Sequence, residues 1–131
     1  MRILLTEDDD SVRAFVSRAL ELDGHEVETA CHGVEALDCL TENEGNFDLL
    51  VTDVKMPIMD GIALAHEASG QWPGLPILLM TGFADQRERA EDLAEKIRDV
   101  VTKPFTLQQI REAVSEAAAA DEASEEADKA A

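Results

Sequence analysis

The stretch RILLTEDDD, residues 2 to 10, joins a short apolar run, Ile3-Leu4-Leu5, to four consecutive carboxylates, Glu7-Asp8-Asp9-Asp10. A brief, unbroken apolar run is the pattern of a strand covered on both faces, as in a parallel sheet. Like charges repel, and burying one of them is costly unless it is paired. Acids stacked at the end of a core strand therefore ask for a counter-charge.

The same apolar pattern recurs at Leu49-Leu50-Val51, Ile77-Leu78-Leu79-Met80 and Val100-Val101. HEVET, residues 25 to 29, alternates instead, which suits an edge strand. Helical stripes lie between the runs. Val12, Phe15, Val16, Ala19 and Leu20 form the first, with Asp9 or Asp10 as its cap and Gly24 past its end. Val34, Leu37 and Leu40 mark a second after Gly33, and Ile62, Ala65 and Ala68 a third that Gly70 ends. Residues 84 to 97 are charged, with Ala90, Leu93, Ala94 and Ile97 as the inner stripe. The last helix opens on the capping-box pattern Thr106-Leu107-Gln108-Gln109 and carries Leu107, Ile110 and Val114. Five strands alternating with five helices predict an α/β fold, a doubly wound parallel sheet with helices on both faces.

The chain has 131 residues, room for one ordinary domain. Its net charge of −18 argues against nucleic acid as a partner, because phosphate contacts need Lys and Arg. No apolar run reaches the ~18 to 20 residues of a membrane span, and the N-terminus lacks a signal-peptide pattern. The expectation is a cytoplasmic protein. Cys31 and Cys39 then predict neither a disulfide nor a zinc site. From Ala120 the chain reads ADEASEEADKAA, which carries −4 of the total charge and no large apolar residue. The domain is expected over 1–118, followed by an acidic, Ala-rich, disordered tail over 119–131.

Special residues follow the strands. Glu7 and Asp8 come after the first, Asp53 after the third, Thr81 and Gly82 after the fourth, Lys103 and Pro104 after the fifth. Parallel strands bring these to one edge, where open α/β sheets bind ligands. Three carboxylates, a hydroxyl and an ammonium then share a pocket. An all-oxygen donor set without His or Cys favours Mg²⁺, or Mn²⁺ in its place. Asp9 and Asp10 are read as helix-entry caps. Lys103 alone would be an ordinary solvated side chain, and Thr81 alone an ordinary cap; their convergence on one edge gives them weight.

ILLTEDDDSVR, LLVTDVKMPIMDG, PILLMTG and VVTKPF together resemble the receiver domains of two-component response regulators. The resemblance covers residues 1 to about 118. It implies a CheY-like, flavodoxin-like sheet of order 2-1-3-4-5. It implies that Asp53 accepts a phosphoryl group from a histidine kinase or a histidine phosphotransferase. Asp8, Asp53 and the backbone carbonyl of Lys55 would ligate Mg²⁺, with Glu7 acting mostly through water. Lys103 would contact phosphoryl oxygens, the bond into Pro104 would be cis, and Thr81 would be the switch hydroxyl. Such a domain catalyses its own phosphorylation and dephosphorylation without being an enzyme toward other substrates.

One position departs from the pattern: many receivers carry Tyr or Phe three residues before the lysine, where this chain has Val100. The output face, around residues 84 to 117, would then change by helix displacement alone. LLTEDDDSVR, LMTGFAD, VVTKPFTL and the missing aromatic are similar to CpdR-type single-domain regulators of the cell cycle. That similarity implies a monomer whose target is the ClpX/ClpXP protease and its substrates. The terminal Ala130-Ala131 resembles tags read by ClpX, although a low-complexity solubilising tail is the preferred reading. A phosphate sink or shuttle in a phosphorelay is the nearest alternative. A Mg²⁺-dependent phosphohydrolase with an Asp nucleophile is a rival, but Lys55 stands where such enzymes place a second Asp. A flavodoxin-like electron carrier is another, disfavoured because four acids would repel a flavin phosphate.

Overall fold

In the computed structural model, which describes residues 1–56, 58–82, 97 and 99–117, each apolar run is a strand. The strands are β1 (Arg2–Thr6), β2 (Glu26–Ala30), β3 (Leu49–Asp53), β4 (Ile77–Thr81) and β5 (Asp99–Thr102). All pair in parallel in the order β2-β1-β3-β4-β5. This is the predicted sheet. The helices are α1 (Asp10–Leu22), α2 (Gly33–Glu42), α3 (Gly61–Gln71) and a last helix over 107–117. The predicted helix over 84–97, with that part of the expected output face, lies outside the described residues, apart from Ile97. The expected tail, 119–131, lies outside them as well.

Strand periodicity splits the core in two. Leu4, Leu50, Ile77 and Leu79 face α2 and α3, where they pack with Ala36, Leu40, Leu64 and Ala65. Ile3, Leu5, Val51, Leu78 and Met80 face α1 and the last helix, meeting Val16, Leu20, Ile110 and Val114. Every residue of β3 and β4 is buried, whereas β2 at the sheet edge buries only Ala30 fully. That contrast explains the continuous apolar runs in the centre and the alternation in HEVET.

Local sequence sets the helix ends. Asp9 caps α1 by accepting from the Ser11 and Val12 amides. Asp23 closes α1, and Gly24 follows in the left-handed region at φ +85°. Thr106 and Gln109 form the predicted reciprocal capping box at 2.8 and 3.1 Å. Two expectations are corrected. Phe15 is 41% exposed, because it sits at the margin of the α1 stripe and not within it. Gly70 does not end α3, which continues to Gln71. The helix stops at Trp72, which is non-helical at φ −131° and ψ 75°, because the following Pro73 disfavours a helical residue before it. Trp72 lies over Gly45, where a Cβ would stand 2.2 Å from the indole ring.

Candidate functional site

Because the sheet is parallel, the ends of β1, β3, β4 and β5 open on one edge. Thr6, Asp53, Thr81 and Thr102 are the last residues of those strands, so Glu7, Asp8, Gly82 and Lys103 emerge beside one another. Asp53 thus belongs to β3 itself. It is buried, as are Glu7 and Thr81, while Asp8 is exposed.

The acids converge. Glu7, Asp8 and Asp53 each offer a carboxylate oxygen within 4.8 Å of the others. Lys103 supplies the counter-charge: its Nζ lies 2.8 Å from Glu7 Oε2 and 3.3 Å from Asp53 Oδ1. The Lys103 amide also donates to the Thr81 carbonyl at 2.7 Å, which ties the loop after β5 to the end of β4. The Lys103–Pro104 bond is cis. Lys55 follows Asp53 by two positions and is exposed. Val100 is half-buried in β5 and packs against the core on the α2 and α3 side.

Burial governs the electrostatics. Desolvation pushes the Glu7 carboxyl up to about 7, the nearby Asp53 charge adds to the rise, and the Lys103 bond opposes it. Asp53 is likewise raised by burial, against the pull of Lys103. For Lys103, burial works against the charged form, but the Glu7 bond and the Asp53 charge outweigh it and hold the ammonium above its ordinary range. The result is one ammonium between two carboxylates, with a third carboxylate at the rim. This donor set is hard and anionic, and it contains no His or Cys. It therefore fits a small divalent cation that prefers oxygen ligands.

Three neighbours were given no role of their own by the sequence reading. Arg13 donates from Nη1 to the Glu7 carbonyl at 2.9 Å and pairs with Asp10, bracing the acidic loop. The three-residue spacing from Asp10 to Arg13 on a first helical turn was its signal. Thr52 donates its hydroxyl to the Asp53 carbonyl at 3.0 Å. Gly61 packs against the backbone of Asp53. Its signal was a glycine just inside a helix start, where Pro or a strong helix former is the usual choice.

The sequence model of the response regulator receiver domain family matches residues 3–115. The response regulator receiver protein CpdR of Brucella abortus (strain 2308) is 41% identical over 109 residues, which cover 83% of this chain and 89% of that protein. Response regulator MprA of Mycobacterium tuberculosis (strain ATCC 25177 / H37Ra) is 38% identical over 110 residues, 84% of this chain. The chain spans about half, 47%, of the MprA length. Among solved structures, a response regulator receiver domain protein from Clostridium thermocellum superposes with a TM-score of 0.83 at 29% identity, covering 92% of this chain and 96% of that one. Family match, fold and converging acids agree: the chain belongs to the response regulator receiver domain family.

Proposed function

We propose that the chain acts as a single-domain response regulator, with Asp53 taking up a phosphoryl group from the phosphohistidine of a histidine kinase or histidine phosphotransferase. The observation that carries this reading is Lys103 bridging Glu7 and Asp53 beside Asp8. In the transfer, an Asp53 oxygen forms a bond to phosphorus as the phosphorus–nitrogen bond of the donor imidazole breaks. The electron pair stays on the imidazole nitrogen. Lys103 is placed to move from Asp53 to the incoming equatorial oxygens, whose charge it neutralises. Thr81, buried at the end of β4, would supply the switch hydroxyl that bonds a phosphoryl oxygen and draws the following loop inward.

Asp8, Asp53 and the Lys55 carbonyl would hold Mg²⁺, or Mn²⁺ in its place, with Glu7 behind them. When bound, the cation supplies further charge neutralisation at the phosphoryl oxygens. Switching a two-state equilibrium from 1:99 to 99:1 needs ~5.5 kcal/mol of differential interaction. A few charge-assisted bonds at ~1.5–3 kcal/mol each are enough. The receiver unit is taken as 1–118 and the remainder, 119–131, as an acidic tail.

The resemblance to CpdR supports a monomeric regulator whose phosphorylation state controls a protein target, of the kind represented by ClpXP and its substrates. The test is incubation of the wild type and Asp53→Ala with acetyl phosphate and Mg²⁺, followed by mass spectrometry. One added phosphate in the wild type and none in the variant is the expected result. Equal labelling of both would refute the assignment.

A further inference from the structure

Resting on the reading of Asp53 as phosphoryl acceptor, we infer that Gly61 and Thr52 are positioning residues that hold the Asp53 backbone, and through it the carboxylate, in register with Lys103. A Cβ built on Gly61 would stand 2.1 Å from the Asp53 carbonyl oxygen, 2.9 Å from its carbon and 2.9 Å from Val54 Cα. All three are backbone atoms, so no side chain can yield. Positive φ is confined, among described glycines, to Gly24 and Gly45. Gly61 is therefore required for space, not for conformation.

Both partners in this contact are anchored. The Gly61 amide donates to the Val54 carbonyl at 2.8 Å. Asp60 caps α3 by accepting from the Ala63 amide at 2.8 Å. On the other side, the Thr52 hydroxyl holds the Asp53 carbonyl at 3.0 Å. Thr52 is fully buried, and period two puts it with Leu50 on the α2 and α3 face of the sheet. The first turn of α3 is thus seated on the very peptide whose side chain meets Lys103 at 3.3 Å. A methyl at position 61 must push that peptide, and the Asp53 carboxylate moves with it. Misplacement of a reacting group by 1 Å can cost ~10²-fold in rate.

The test compares the full-length wild type, Gly61→Ala, Thr52→Val and Gly70→Ala. Gly70 lies in the same helix, and a Cβ there meets nothing within 4 Å. Three quantities are read: the initial rate of phosphoryl uptake from acetyl phosphate, the Mg²⁺ dissociation constant by calorimetry without donor, and the thermal midpoint. Gly61→Ala is expected to slow uptake ~10- to 100-fold and to weaken Mg²⁺ severalfold while remaining folded. Thr52→Val is expected to slow uptake less, and Gly70→Ala to match the wild type in both. A folded Gly61→Ala with wild-type rate and Mg²⁺ affinity overturns the inference, whatever its midpoint. If Gly61→Ala does not fold, Thr52→Val decides, and an unchanged rate there overturns it. A wild type that neither binds Mg²⁺ nor takes up phosphate would instead sink the underlying assignment of Asp53, and this inference with it.

Discussion

Lys103 and Glu7, 96 positions apart in the chain, form an ion pair at 2.8 Å in which the carboxylate is 1% exposed. The pair fastens the loop after β5 to the loop after β1. Removing one partner of a buried pair leaves the other uncompensated, and that penalty exceeds the net worth of the pair. Lys103→Met should lower stability in metal-free buffer by about 1–3 kcal/mol. The value sits below that of a fully buried pair because the lysine side chain is 24% exposed. Urea denaturation of the two proteins measures it, and no difference would mean that the pair is solvent-screened.

Thr6 is fully buried, and its hydroxyl has no hydrogen-bond partner among the described residues. A buried unsatisfied hydroxyl costs ~1–3 kcal/mol, and replacing it by a methyl of the same shape removes the cost. Thr6→Val should therefore raise stability by about 1 kcal/mol. Equilibrium unfolding checks this; a loss would show that the hydroxyl is satisfied in solution.

Ile58 sits at φ +69° in the loop between β3 and α3, yet is 89% exposed. A β-branched residue in the left-handed region is strained, and so exposed a side chain gains almost nothing from burial in return. Asn tolerates that conformation, so Ile58→Asn should stabilise the fold by about 1 kcal/mol. Thermal and urea midpoints report it directly.

Arg111, in the last helix, donates from Nε to Asp23 at the end of α1 at 2.9 Å. That bond, with the charge of Arg111 behind it, holds the Asp23 carboxyl below its ordinary value of 3.8. A depressed carboxyl contributes stability above its unfolded pKa and loses it as pH falls through the folded value. The stability gap between wild type and Asp23→Asn should be constant above about pH 7, where the neighbouring His25 is neutral, and should close below about pH 4. A gap that persists at pH 2 would assign the effect to helix capping instead of charge.

Val100 occupies the position where many receivers have an aromatic ring, and it packs into the core on the α2 and α3 side. If displacement of the output helices alone carries the signal, Val100→Tyr should leave phosphoryl uptake at the wild-type rate while changing affinity for a target. Loss of uptake in the variant would mean that position 100 supports the site itself.

The sheet was legible because its strands are apolar on both faces and the acids, threonines and lysine stand directly at their ends. Asp9 as cap and the Thr106–Gln109 box were legible for a similar reason: both are short-range hydrogen bonds encoded within four residues. What escaped depends on distance through space. A glycine just inside a helix start marks Gly61 as unusual, but the sequence does not say that the Asp53 carbonyl fills the space of its missing side chain. The end of α3 is different: Pro73, three residues past Gly70, was in plain view, and the glycine was the wrong one of two local stop signals to follow. Phe15 stands at the margin of the helical stripe, and only the placement of its neighbours decides that it remains half outside.

Trp72 is the sole tryptophan of the chain and the molecule has no tyrosine. It stands against Gly45 at the far end of α3, an 11-residue helix and hence ~16 Å from the Gly61 end that touches Asp53. Intrinsic fluorescence of this protein is therefore a single-probe thermometer of the fold's lower rim. It will follow global unfolding cleanly and stay quiet when an ion or a phosphoryl group arrives at the opposite edge.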